Sequence, residues 1–237
     1  MAHAVHSYAD PAAAAHACAD RAAHLLREFI GARGAAHLAL SGGNTPKAMY
    51  AVLAGLPGID WSRVHFWWGD ERCVPHSDKD SNERMARESL LSKVRPIESN
   101  IHSVPTTLSP VACAAAYEAE LRRSCDIDPQ TKMPIIDILL LGIGDDGHTL
   151  SLFPRSPTLN ETAKAVSSTT APPTSPVKDR VTLTFPAARS AKYRVFLAAG
   201  ADKKSVVAGC LADPPADQPS AKVGDAEWFL DAAATPS

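Results

Sequence analysis

No two cysteines of this chain stand in a C-x-x-C spacing: Cys18, Cys73, Cys113, Cys125 and Cys210 are scattered and odd in number. That pattern excludes a disulfide framework and a zinc ribbon, and makes a reducing compartment the default. Positive charge is not in excess either, since 24 Lys and Arg against 26 Asp and Glu leave a formal net charge of −2. Nucleic-acid binding needs a concentrated basic face, so no nucleic-acid partner is expected. No run approaches the roughly 20 apolar residues that cross a bilayer. Residues 1–11 are polar and lack the apolar core of a secretory leader. Also missing are the H-E-x-x-H pattern of a zinc hydrolase and the G-x-S-x-G elbow of a serine hydrolase. What remains is a cytoplasmic protein with no membrane partner, no metal and no cofactor, in which a few local cations still suffice to hold a small anionic ligand.

At 45% hydrophobic and 21% charged, the chain has an ordinary globular composition, and 237 residues bury a sizeable core without disulfides. With no internal repeat and no dividing linker, residues 1–237 are expected to form one domain. The pattern predicts an opening helix over 10–33, capped by Asp10, started by Pro11 and ended by Gly31 and Gly34. A strand over 37–40 runs into Ser41-Gly42-Gly43, with Thr45 as cap and Pro46 as first residue of the next helix. Further strands are expected at 64–68, 181–185 and 193–199, further helices at 81–93, 112–124 and 202–211, and a strand or short helix at 227–234. The stretch 135–141, between Pro134 and Gly142, is the most apolar in the chain and reads as a central strand buried on both faces. This alternation predicts an α/β fold, a three-layer α/β/α Rossmann-like sandwich with a mostly parallel sheet.

Three polar constellations each follow an apolar strand, where ligands bind in open α/β sheets. In Ser41-Gly42-Gly43-Asn44-Thr45-Pro46, glycines let the backbone approach a ligand, and the unpaired N–H groups of a helix start favour an anion. In Gly69-Asp70-Glu71-Arg72, followed by Asn82, Asp70 and Glu71 could orient a hydroxylated substrate and Arg72 could hold a phosphate through its bidentate fork. In Gly142-Ile143-Gly144-Asp145-Asp146-Gly147-His148, a glycine-rich turn presents Asp146 and His148 two residues apart. Histidine suits general-base work near neutral pH, and a neighbouring carboxylate can hold its tautomer or bind a sugar hydroxyl. Arg180, opening a strand, and Lys203, at a helix start, are further cations within reach of a phosphate.

These segments resemble those of the 6-phosphogluconolactonase family. The likeness rests on Ser41-Gly42-Gly43-Asn44-Thr45-Pro46, Gly69-Asp70-Glu71-Arg72 with Val74-Pro75, Ser81-Asn82, Gly142-x-Gly144-x-Asp146-Gly147-His148-Thr149-x-Ser151-Leu152-Phe153-Pro154, Arg180-Val181-Thr182-Leu183-Thr184-Phe185-Pro186 and the closing Trp228-Phe229-Leu230-Asp231. The resemblance implies hydrolysis of 6-phospho-D-glucono-1,5-lactone to 6-phosphogluconate in the oxidative pentose phosphate pathway. His148 would be the base that activates water, and Arg72, Arg180 and Lys203 would contact phosphate. Family members often carry Ser-Pro-Lys-Pro-Pro before the arginine, where this chain reads Pro173-Thr174-Ser175-Pro176-Val177-Lys178-Asp179; no role is carried over to Lys178.

The expected mechanism has His148 deprotonating water as it attacks the lactone carbonyl. N–H groups of Gly42 to Asn44, or of Gly144 and Gly147, would stabilise the oxyanion, while Asp146 positions His148 or the sugar. The substrate-binding set is then Gly42, Gly43, Asn44, Thr45, Asp70, Glu71, Arg72, Asn82, Gly144, Gly147, Arg180 and Lys203, in a monomer or small homo-oligomer whose partner is a small phosphorylated sugar lactone. One alternative is a glucosamine-6-phosphate deaminase or sugar-phosphate isomerase; Arg72 and Ser151-Leu152-Phe153-Pro154 argue against it. The other is a non-catalytic sugar-phosphate-binding protein, disfavoured by the lack of an added DNA-binding segment.

Overall fold

The computed structural model describes residues 3–236; the first two residues of the polar opening stretch, and the last residue, lie outside them. Local signals start the first helix where the sequence places it. The Asp10 side chain accepts the Ala13 N–H at 2.8 Å, and Pro11 opens helix α1 (Pro11–Arg33). A lost cap of this kind typically costs about 1 kcal/mol. Gly31 lies within the helix, and Gly34 alone ends it.

The chain runs through β1 (Ala4–Tyr8), α1, β2 (Ala36–Leu40), α2 (Asn44–Leu53), β3 (Val64–Trp68) and β4 (Asp70–Arg72). After these come α3 (Asn82–Ala86), a π-helical stretch (Arg87–Leu91), α4 (Ser92–Val94), α5 (Pro110–Ser124) and β5 (Ile138–Leu141). The last third contains β6 (Val166–Thr170), β7 (Asp179–Leu183), α6 (Phe185–Ser190), β8 (Tyr193–Ala198), α7 (Lys204–Leu211) and β9 (Glu227–Asp231). Helix α2 begins at Asn44, with Gly43 as its cap residue and no side-chain cap, so Thr45 sits inside the first turn rather than capping it. Residues 135–137 stay outside the central strand.

Six strands form a parallel sheet in the order β1-β9-β8-β5-β2-β3. Strand β5 is buried along its whole length, and each of its leucines removed from water contributes about 1.5–3 kcal/mol. Helix α1 packs on β1, β2, β8 and β9 and against α2. This is the Rossmann-like α/β arrangement expected from the alternation of elements. Chain order runs outward from β2 to β3 in one direction and from β5 through β8 to β9 in the other. The reversal between β2 and β5 opens a crevice at their carboxyl ends.

A second, antiparallel sheet in the order β4-β7-β6 stands beside the first. Its strand β4 continues from β3 after Gly69 alone, so it lies at that same carboxyl edge. Strands β1, β4 and β6 have no counterpart in the sequence reading. Strand β1 is a largely exposed edge strand without alternation, and β4 is only three residues long.

Near the amino ends of β2 and β3, His37 and His65 stack with ring centroids 4.8 Å apart. His65 Nδ1 lies 2.9 Å from His102 Nε2, and His102 Nδ1 lies 2.9 Å from Glu120 Oε1. Burial, aided by the neighbouring His65 and Arg33, drives the His37 pKa down to about 3; burial and Arg123 drive that of His102 to about 4. Imidazoles of the unfolded chain take up protons below about 6.5. The unfolded state therefore binds more protons, and stability falls as pH drops from about 6.5 towards 4. Thermal unfolding at pH 5 should come several degrees below that at pH 7.5, and coincident Tm values would contradict this.

Candidate active site

The crevice is a cleft of about 600 Å³ into which all three polar constellations converge. From the end of β2 come Ser41, Gly42, Gly43, Asn44 and Thr45; from β4 and helix α3 come Asp70, Arg72 and Asn82. The loop after β5 supplies Gly144, Asp146 and His148, and Arg180 and Lys203 also line the cleft; of the expected set, Glu71 and Gly147 do not.

Buried hydrogen bonds hold the first loop. The Tyr50 hydroxyl accepts the Ser41 N–H and donates to the Ser41 carbonyl, both at 2.8 Å. Position 42 has no room for a side chain, because a Cβ there would lie 2.0 Å from Asn82 Oδ1. Asn82 in turn donates from Nδ2 to the Asp70 carbonyl at 2.8 Å, which ties the first constellation to the second. The N–H groups of Gly42 and Gly43 donate to no atom among the described residues, and the first turn of α2 leaves further N–H groups without intrahelical partners.

The second constellation is sorted by strand alternation, which sends neighbouring side chains to opposite faces. Asp70 and Arg72 face the cleft, where Asp70 Oδ2 accepts the Ser151 hydroxyl at 2.5 Å. Glu71 points the other way and is buried, which corrects its expected place among the substrate-binding residues. Its carboxylate accepts the N–H groups of Arg72 (2.7 Å), Asn82 and Glu83 (2.8 Å each) and the Ser81 hydroxyl (3.1 Å). Glu71 thus fixes the start of α3 instead of touching a ligand. Burial still pushes its pKa up, against the pull of those hydrogen bonds.

Arg72 and Arg180 are direct cross-strand partners in the β4–β7 pair. Arg72 Nη1 donates to the Asp80 carbonyl and Arg180 Nη2 to the Ser175 hydroxyl, each at 2.7 Å. Neither forms an ion pair with a described residue, and Arg72 Nε, Arg180 Nε and Arg180 Nη1 are buried without a hydrogen-bond partner among the described residues. Burial and the facing Arg72 charge both lower the Arg180 pKa. Like charges directly opposite destabilise a strand pair, and each unpaired buried donor costs about 1–3 kcal/mol.

In the third constellation, His148 Nδ1 lies 2.5 Å from Asp146 Oδ1, and the same oxygen accepts the His148 N–H at 3.1 Å. Burial opposes ionisation of Asp146, but these hydrogen bonds and the ring's charge hold its carboxyl below the usual range. The imidazole folds back over the turn because position 144 has no side chain: a Cβ there would lie 2.1 Å from His148 Nδ1. The ring also rests against Phe153, with centroids 4.9 Å apart. The Gly144 N–H donates to the His148 carbonyl at 2.8 Å and the Gly147 N–H to the Gly144 carbonyl at 2.9 Å. Neither N–H is free to receive an oxyanion, whereas those of Gly42 and Gly43 keep no partner among the described residues. Gly147 itself lies off the cleft, against Gln218. Lys203 pairs with Asp145 and Asp202, both exposed, and would exchange those partners to meet a ligand.

Sequence reasoning passed over Ser151, although it lies inside the motif of His148. It also passed over Ser175 in the loop joining β6 and β7, since that hairpin itself was not foreseen. Among the described residues, no group of three or more His, Cys, Asp or Glu side chains is arranged to hold a metal ion, and no helix is long and apolar enough to cross a membrane.

A family model described as glucosamine-6-phosphate isomerases/6-phosphogluconolactonase matches residues 9–230. A 6-phosphogluconolactonase of Synechocystis sp. is 39% identical over 218 residues, which span 87% of this chain and 86% of that protein. One of Streptomyces coelicolor is 38% identical over 228 residues, spanning 90% and 87%. Among solved structures, the 6-phosphogluconolactonase from Trypanosoma cruzi superposes with a TM-score of 0.87 at 30% identity, over 98% of this chain and 96% of the other.

Replacing Glu71 by alanine strands two buried N–H donors and a half-buried one, and about 2–4 kcal/mol of stability should be lost in denaturant unfolding. A change within about 0.5 kcal/mol, the range of ordinary surface substitutions, would show that the carboxylate does not hold α3 in place.

Proposed function

Because the chain belongs to the glucosamine-6-phosphate isomerase/6-phosphogluconolactonase family, we propose that it hydrolyses 6-phospho-D-glucono-1,5-lactone with His148 as general base. The observation that carries this reading is the polarity of the cleft. Its wall brings together two arginines with unpaired donors and an imidazole whose Nδ1 is taken by a carboxylate. A phosphorylated sugar ring has a dianion and a reactive carbonyl at its two ends.

The Asp146 carboxylate at Nδ1 favours the tautomer protonated there, which leaves the Nε2 lone pair to accept a proton. Nε2 takes the proton of a water as its oxygen attacks C1. The N–H groups of Gly42 and Gly43, with the first turn of α2, receive the negative charge that develops on the carbonyl oxygen. Protonated His148 then returns the proton to the ring oxygen as the C1–O bond breaks, which regenerates the base, and the new carboxylic acid loses its proton to solvent. Arg72 and Arg180 hold the phosphate, and that remote grip orients C1. Asp70, fixed by Ser151, and Asn82 face the sugar between them. Lys203 supplies a third cation at the rim. In this reading the whole chain acts as one catalytic domain in the cytoplasm, on a small molecule.

Replacing His148 by alanine should lower kcat about 10²–10⁴-fold with the fold retained. Replacing Arg72 by alanine should chiefly raise KM. Both are read on freshly prepared lactone after subtraction of the uncatalysed rate, with glucosamine 6-phosphate as counter-substrate. Full activity without His148 would overturn its role as base, and turnover of the amino sugar phosphate would overturn the assigned reaction.

A further inference from the structure

The hairpin loop 171–178 between β6 and β7 forms part of the cleft wall, with Pro172, Thr174 and Ser175 facing the ligand space. Three prolines, Pro172, Pro173 and Pro176, deprive it of N–H donors, so its carbonyls cannot be satisfied by an ordinary ladder of turns. A lysine supplies the missing donors. Lys178 Nζ donates to the carbonyls of Pro172 at 3.1 Å, Pro173 at 2.5 Å and Ser175 at 2.6 Å, which uses all three protons of the ammonium. The loop is closed at its base by the Ala171 N–H on the Lys178 carbonyl at 2.8 Å, and tightened by the Ser175 N–H on the Pro172 carbonyl at 2.9 Å.

The product of this closure is the position of one hydroxyl. Ser175 Oγ donates to the Val177 carbonyl at 3.0 Å and accepts Arg180 Nη2 at 2.7 Å. That is the sole hydrogen bond of the Arg180 side chain among the described residues; its Nε and Nη1 are buried without a partner. A guanidinium that is buried, opposes the charge of Arg72 and is in no ion pair with a described residue has little else to fix its direction. With Nη2 anchored on Ser175, the planar fork leaves its other donors in a fixed direction.

We propose that Lys178 is a positioning residue for phosphate recognition, its exposed ammonium gathering the carbonyls of the loop that holds Ser175 against Arg180. It touches no substrate. Selectivity for a phosphorylated over an unphosphorylated lactone depends on it through the orientation of Arg180. This rests on the reading of the Arg72–Arg180 pair as the phosphate site.

The test is calorimetric titration with inorganic phosphate of the wild type and of Lys178→Met, Lys178→Arg, Ser175→Ala and Arg180→Met, with lactone kinetics alongside. Lys178→Met should weaken phosphate binding and raise KM by roughly 5- to 20-fold, with kcat within about two-fold of the wild type. Lys178→Arg, which can still donate to several carbonyls, should recover most of the affinity. Ser175→Ala, which leaves the lysine contacts in place, should reproduce a loss of similar size, and serves as the readout if Lys178→Met does not fold. If Arg180→Met binds phosphate like the wild type, the phosphate site itself is wrongly placed. If Arg180→Met loses affinity while Lys178→Met and Ser175→Ala keep it, the positioning role is overturned.

Discussion

Arg72 and Arg180 stand opposite each other across an antiparallel strand pair, Arg180 buried and Arg72 half-buried, and neither is in an ion pair with a described residue. Nothing in the folding energetics favours such a pair: like charges repel, and desolvated donors without partners cost free energy. Much of the surrounding structure serves to keep it in place. Strand β4 is short and held by Glu71, whose carboxylate turns away from the cleft to cap α3. Arg72 is tied to the Asp80 carbonyl, and Arg180 to a proline-rich loop closed around its own lysine. Local strain of this kind is retained where a ligand uses it.

The rest of the site follows from where the parallel sheet reverses its strand order. The loops after β2 and β5 meet there, and a Cβ at Gly142 would already lie 3.6 Å from Ser41 Oγ. Close approach explains why two positions must be glycine: Gly42 makes room for Asn82 and Gly144 for the His148 ring. Backbone donors and imidazole are therefore set by packing before any ligand arrives, which is the preorganisation that electrostatic stabilisation of a developing charge requires.

Much of this was legible in the sequence, because it depends on local signals. Strand β3 and helix α1 follow from apolar spacing and capping, and the motif around His148 announces a turn that carries an imidazole and a carboxylate. What escaped is non-local. Strand β1 shows no alternation, since it lies exposed at the sheet edge and is defined only by pairing with β9. The Asp70-Glu71-Arg72 triplet looks like three adjacent functional groups until it is known to be a strand; alternation then assigns Glu71 to the interior and the other two to the cleft. Gly147 falls outside the cleft for a similar reason, because its place is set by Gln218, about seventy residues away in the chain. Lys178 had no role in the sequence reading, and acquires one only when three carbonyls of its own loop are seen to converge on it.

The central claim is that one cleft grips a phosphate at the paired arginines while presenting the opposite end of the sugar to His148. A structure of the protein with 6-phosphogluconate bound tests it most directly. The account predicts the phosphate between the Arg72 and Arg180 guanidiniums, and the carboxylate carbon within reach of His148 Nε2 and the Gly42–Gly43 backbone. A ligand lying in the reverse orientation, or with its phosphate away from both arginines, would contradict it.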